Sequence, residues 1–159
     1  MNLYDSIVYE AIAGSGGGGG GGSDNLDGYF LKTIVNVKVP EGVVTLMTGC
    51  FKDYKSLESA KLPNTLERIP GSCFEGCNKL KEITIPASVK NIENRAFYGC
   101  SGLTSITSLA TTPPGIGGAS WHSSVPMTIP IYVPAESVDA YKSASFWSAR
   151  ADYIQAIPE

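Results

Sequence analysis

Four cysteines and one histidine are the residues best equipped for chemistry: Cys50, Cys73, Cys77, Cys100 and His122. Four cysteines allow three disulfide connectivities, or half of a tetrahedral zinc site for each suitably spaced pair. The Cys73-x3-Cys77 pair has no matching second pair, and His122 lies far along the chain, so a zinc site is not expected. Cys50 and Cys73 are 23 residues apart, and so are Cys77 and Cys100. If positions at that spacing stack, each pair is small, slightly polar core packing. A disulfide between stacked positions is the alternative, although stacking alone does not supply the geometry. A hydrolase triad would need His122 beside a serine and an acid. One histidine within Ser120-Trp121-His122-Ser123-Ser124 reads instead as a loop or packing residue. The carboxylates are scattered at positions expected to be solvated, with no pair set for general acid–base work. No catalytic residue, metal site or cofactor is therefore expected.

The elements that would position these side chains repeat. Pro40, Pro63 and Pro86 are 23 apart, as are Phe51, Phe74 and Phe97, and Leu57, Leu80 and Leu103. The same register holds for Leu46, Ile69 and Ile92, for Val43, Leu66 and Val89, and for Val37, Ala60, Ile83 and Ile106. A further column, Val39, Leu62 and Ile85, fails at Ser108. One coil of a solenoid cannot bury its own apolar edge. Stacked coils place equivalent side chains above one another at strand spacing, about 4.8 Å, so each apolar column becomes a ladder in the core. Gly76 and Gly99, just before Cys77 and Cys100, suit a turn that needs positive φ. The Ile-Pro and Leu-Pro steps end strands, because proline cannot donate the next ladder bond.

These repeats resemble the BspA-type leucine-rich repeat of bacterial surface proteins. The likeness rests on Ile69-Pro-Gly-Ser-Cys-Phe-Glu-Gly-Cys-Asn-Lys-Leu80 with Ile83-Thr-Ile-Pro86, and on Ile92-Glu-Asn-Arg-Ala-Phe-Tyr-Gly-Cys-Ser-Gly-Leu103 with Ile106. The first repeat, Leu46 to Leu57, has Asp53 and Tyr54 in place of the Gly and Cys, as an edge coil would. Ile34, Val37 and Val39 match only the strand portion. Ile131 to Trp147, then Ala151 to Ile157, resembles the segment that often closes such arrays in Bacteroides-type proteins. Pro134 suits a helix start and Glu136 its dipole. Val138 and Tyr141 share a face, and Phe146 and Trp147 are expected to cover the open end of the last coil. Thr112 to Ser124, rich in Pro, Gly and Ser, reads as the loop into that cap.

Residues 1–13 read as a short amphipathic helix: Leu3, Ile7 and Ala11 recur at i, i+4 and i+8, flanked by Tyr4, Val8 and Ile12. A helix this short is marginal alone, so its stripe either folds back on its own domain or anchors the chain to another protein or to copies of itself. Residues 14–24 contain an uninterrupted Gly16–Gly22 tract, which reads as a flexible linker; packing of such tracts within an oligomer is the alternative. No Lys-Ser/Thr follows it, so it is not a phosphate loop. The expected organisation is an anchor at 1–13, a linker at 14–24, a leucine-rich-repeat solenoid of the α/β type at 25–112 and a capping segment at 113–159.

With 17% charged residues and a net charge of -3, the chain has no global field drawing it to nucleic acid or anionic lipid. No run of 18 apolar residues appears, so no membrane insertion is expected. Met1 to Ala13 lacks the basic start of a secretory signal, and Asp5 and Glu10 interrupt it. On each strand the residues alternating with core columns face out. They give one column of Asn36, Ser59, Glu82 and Ser105 and a second of Lys38, Lys61, Thr84 and Thr107. Such a polar face can hydrogen-bond protein or glycan; otherwise these are soluble strand formers. Neither column carries an aromatic platform, which counts against a tight glycan or single-stranded nucleic-acid site.

The whole reads as a non-enzymatic adhesion module. A short anchor before a Gly-rich spacer resembles gut-phage virion proteins that display host-binding domains, in a fibre or decoration role. A bacterial cell-surface adhesin binding host protein or glycan is the alternative. The expected partners are a cell-surface protein or glycan, a virion or surface assembly reached through residues 1–13, and, as a further option, copies of the chain itself in a trimer.

Overall fold

The computed structural model describes residues 34–121 and 124–159. The expected anchor, the Gly tract and His122 lie outside the described residues.

Among the described residues, nine short strands form two parallel sheets. The larger has six strands in the order β1 (Asn36–Lys38), β2 (Ser59–Lys61), β4 (Glu82–Ile85), β6 (Ser105–Ser108), β8 (Ile131–Val133) and β9 (Ile154–Ala156). The smaller runs β3 (Arg68–Ile69), β5 (Asn91–Ile92) and β7 (Gly115–Ile116). The register is the one the repeat demands: Val37 pairs with Ala60, Ala60 with Ile83 and Ile83 with Ile106. Each of these side chains is buried between the sheets, and the strand residues flanking them turn outward. β4 stops at Ile85, one residue before Pro86, where the ladder donor would be missing.

The turns between strands stack as regularly as the strands. Each of three successive coils has two left-handed positions. Gly49, Ser72 and Arg95 occupy the first (φ 68°, 56° and 59°), and Asp53, Gly76 and Gly99 the second (φ 60°, 78° and 82°). The positive φ read from the sequence for Gly76 and Gly99 is present. Glycine is needed at Gly99 for a second reason: a Cβ there would stand 3.1 Å from the Gly76 nitrogen and 3.2 Å from its Cα. Asp53 keeps the same turn in the first coil with a residue type that tolerates it. Coil-to-coil bonds such as Phe51 N–H to the Cys73 carbonyl and Phe74 N–H to the Ala96 carbonyl, 2.9 and 2.8 Å, hold these turns in register.

Inside the turns runs an aromatic spine. Phe51, Phe74 and Phe97 stack with centroids 5.3 and 5.5 Å apart. Trp121 continues it, 5.0 Å from Phe97 and nearly parallel, and Trp147 follows, tilted, at 5.7 Å. Tyr141, on the short helix α1 (Val138–Ser143), meets Trp147 edge-on. Trp147 Nε1 donates to the Pro114 carbonyl at 2.9 Å, so this large ring is buried with its polar group satisfied.

Three expectations are corrected. Thr112–Ser124 is not merely a loop, because β7 lies within it and pairs Ile92 with Ile116. The spacing there is 24 residues, and Ile106 to Ile131 is 25, so a search for a strict 23-residue period loses the register. Phe146 does not cover the core. Its backbone adopts φ 67° and its ring is half exposed, while Trp147 beside it turns inward. Ser108 does not break its column. It is fully buried, and its hydroxyl meets Tyr141 Oη at 2.7 Å, while Tyr141 Oη donates to the Ala110 carbonyl at 2.8 Å. A polar residue is accommodated in the column of Val39, Leu62 and Ile85 because the Tyr141 phenol supplies its hydrogen-bond partner.

Candidate functional site: the outward face of the six-stranded sheet

The outward residues of the larger sheet line up strand by strand. Asn36 pairs with Ser59, Ser59 with Glu82 and Glu82 with Ser105. Lys38 pairs with Lys61, and Thr84 with Thr107. Asn36, Lys38, Lys61, Glu82 and Thr84 are exposed, whereas Ser59, Ser105 and Thr107 are half-buried. Both expected columns are therefore brought together on one surface.

The face differs from the sequence expectation at its far end. Tyr132 pairs with Thr107 and Gln155 with Tyr132, so the second column continues into an aromatic residue and an amide. An aromatic side chain does stand in the column, against the expectation that none would. The 25-residue step from Thr107 concealed it. The local motif was a usable signal: Ile131-Tyr132-Val133-Pro134 repeats the form of Ile83-Thr84-Ile85-Pro86.

Chemistry varies along this surface. At its N-terminal edge the Ser59 hydroxyl donates to Asn36 Oδ1 at 2.6 Å, so that pair is partly self-satisfied. Just before the strands, Lys81 Nζ contacts Glu58 Oε2 at 2.7 Å, and the hydrogen bond and positive charge hold the Glu58 carboxyl below its usual range. Lys38 and Lys61 take part in no ion pair among the described residues. Together they form a two-lysine cluster at this end of the face. Beside it lies a depression of about 350 Å³ bordered by Lys61, Asn64, Glu82, Thr84 and the exposed Leu109. Cation, carboxylate, hydroxyl and apolar surface are thus available within one concave patch, and Tyr132 stands two strands beyond Thr84.

The other candidates from the sequence have structural employment. Cys77 and Cys100 are fully buried, and their thiols donate to the Phe51 and Phe74 carbonyls at 3.0 and 3.1 Å. Burial pushes the Cys77 thiol up to about 12 and Cys100 higher still, so neither offers a thiolate near neutral pH. Two described serines near His122 are engaged by backbone: Ser120 donates to the Glu93 carbonyl, and Ser124 accepts from Gly99 N–H at 2.8 Å. Among the described residues, no three His, Cys, Asp or Glu side chains gather as metal ligands. No described helix is long and apolar enough to cross a membrane.

The repeat is also what comparison finds. The BspA type leucine rich repeat region matches residues 28–123 in six copies, more than half of the chain. The chain belongs to the BspA-type leucine-rich-repeat family. Repeats of this type are generally non-enzymatic protein-binding or adhesion modules, and the proteins that carry them are typically surface-exposed. No curated protein matches the chain.

Proposed function

We propose that this BspA-type protein is a non-enzymatic recognition module that binds a cell-surface protein or glycan through the outward face of its six-stranded sheet. The observation that carries the proposal is the alignment of that face: one column is paired from Asn36 to Ser105, and a second from Lys38 to Lys61 and from Thr84 to Gln155, with two lysines at one end and Tyr132 near the other. A repeated strand surface presents evenly spaced donors and acceptors to an extended ligand. Tyr132 adds a rigid amphipathic ring of the kind that anchors interfaces. Residues 113–159 act as the cap that shields the last coils.

The display arrangement follows from the sequence. Residues 1–13, with Leu3, Tyr4, Ile7, Val8, Ala11 and Ile12, dock the module to a virion or surface assembly or to further copies of the chain, and residues 14–24 space it away. Display on a phage particle, as fibre or decoration, is the leading form; a bacterial cell-surface adhesin is the second, favoured by the surface exposure typical of the family. Comparing the solution mass of the full chain with that of a chain starting at Asn25 tests the assembly role. A trimer that becomes a monomer supports self-assembly, and two monomers reject it.

Binding is tested with the labelled full chain on a panel of intact bacteria and on arrayed glycans. Saturable binding should weaken about tenfold or more in Lys61→Glu and in Tyr132→Ala, roughly the loss of one good contact at about 1.4 kcal/mol. Binding unchanged by both substitutions would move the site off this face.

A further inference from the structure

We propose that Cys50 and Cys73 form a redox-closed clip, a disulfide that fastens the first coil to the second under oxidising conditions. The two sulfurs stand 3.2 Å apart across equivalent positions of adjacent coils, both as free thiols. Closing a bond of about 2.05 Å requires the sulfurs to approach by roughly 1.1 Å, a small side-chain adjustment. The backbones are already held at ladder distance by the Phe51 N–H bond to the Cys73 carbonyl and the Gly49 N–H bond to the Gly71 carbonyl, each 2.9 Å. Ladder spacing of about 4.8 Å lies within the Cα separation that disulfides span.

The pair is also isolated from competition. The next position in its column is Ala96, buried and without sulfur, so the run contains only these two thiols. Cys77 and Cys100 lie in a different column with their thiols bonded to main-chain carbonyls. Within the pair, the roles are unequal. Cys50 is half-buried and reachable, whereas Cys73 is fully buried. Burial, first of all, and then the neighbouring Cys50 raise the Cys73 thiol well above its ordinary value.

The oxidant is a low-molecular-weight disulfide. The Cys50 thiolate attacks one of its sulfurs, an S–S bond breaks, and one small thiol departs. Cys73, on losing its proton, attacks Cys50 Sγ. The protein disulfide forms and the second small thiol leaves with the electron pair. Two electrons pass from the protein sulfurs to the oxidant, and the two thiol protons end on the released thiols. The clip closes a loop between residues 23 apart at the coil in which Asp53 and Tyr54 replace the repeat's Gly and Cys. Its stabilisation therefore falls on a coil whose turn departs from the repeat.

The full chain is incubated with glutathione disulfide, then characterised by intact mass, peptide mapping and thermal melting. The expected result is loss of two hydrogens, a Cys50–Cys73 cross-linked peptide, and a melting temperature raised by about 10 °C. A phosphine reductant should reverse all three, and Cys50→Ser should show none. Four free thiols after incubation, a stable glutathione adduct on Cys50, a linkage through Cys77 or Cys100, or a cross-link without a higher melting temperature would each overturn the proposal. The test is independent of ligand recognition by the sheet face.

Discussion

Truncating an interior ring of the aromatic spine, Phe74→Ala, should be among the most destabilising single apolar substitutions in the repeat. Phe74 is fully buried and stacked on both sides, against Phe51 at 5.3 Å and Phe97 at 5.5 Å. Loss of a buried phenyl group typically destabilises by about 3–5 kcal/mol through transfer and cavity terms. An aromatic pair contributes about 0.5–1.5 kcal/mol beyond burial, and two pairs are lost here. An effect near 5 kcal/mol is expected, comparable with the roughly 5–15 kcal/mol that holds a whole domain folded. Phe74→Leu keeps much of the volume but neither stack, and should lose about 1–3 kcal/mol. Phe146→Ala is the control, since that ring is half exposed and its effect should be within about 0.5 kcal/mol. The assay is urea denaturation followed by circular dichroism and by tryptophan fluorescence from the distant Trp121 and Trp147. A loss below about 2 kcal/mol for Phe74→Ala with unchanged urea dependence, or one no larger than for Phe146→Ala, would refute a continuous spine.

Removing the phenol of Tyr141 by Tyr141→Phe orphans the buried Ser108 hydroxyl and the Ala110 carbonyl, and should destabilise by about 1–3 kcal/mol. The double change with Ser108→Ala should then lose less than the sum of the single ones, as a double-mutant cycle in urea would report. Gly99→Ala should destabilise by about 2 kcal/mol, because φ is 82° and the new Cβ meets the Gly76 backbone; Arg95→Gly, already left-handed at φ 59°, should stay within about 1 kcal/mol. The two urea midpoints check this contrast. Alkali should unfold the protein through its thiols: burial raises Cys77 to about 12 from an ordinary 9, so the folded state holds its proton more tightly than the unfolded one. Stability is unaffected below about pH 9 and falls as the pH rises towards 12, by on the order of 4 kcal/mol from this group. Melting curves across that range, with reductant present, should be shallower in pH for Cys77→Ala, and an identical slope would sink the linkage.

The repeat itself was legible because period-23 columns record the stacking directly. Val37, Ala60, Ile83 and Ile106 can share a ladder only if their coils lie one above another, and the resulting alternation sends Asn36, Lys38 and their counterparts outward. The turn glycines were legible for a similar reason, since Gly76 and Gly99 recur where the backbone must be left-handed. Recognition of the outward face as a binding surface is a step further, because exposed polar strand residues carry no signature separating ligand contacts from solvated ones.

Tertiary structure decided what interrupted or lay beyond that strict period. The 24- and 25-residue steps bring Trp121 onto the spine and Tyr132 onto the outward face, because the sheets absorb extra residues in their turns while strand pairing keeps its spacing. Ser108 looked like the end of a column until Tyr141 arrived from α1 to satisfy it. Phe146 and Trp147, adjacent and equally apolar, were separated by a single left-handed residue that faces one ring outward and buries the other. Cys50 and Cys73 shared a column in sequence, but only the packed turns set their sulfurs at 3.2 Å. Periodicity fixes which residues can stack; side-chain direction and contact distance arise only when separate coils close on one another.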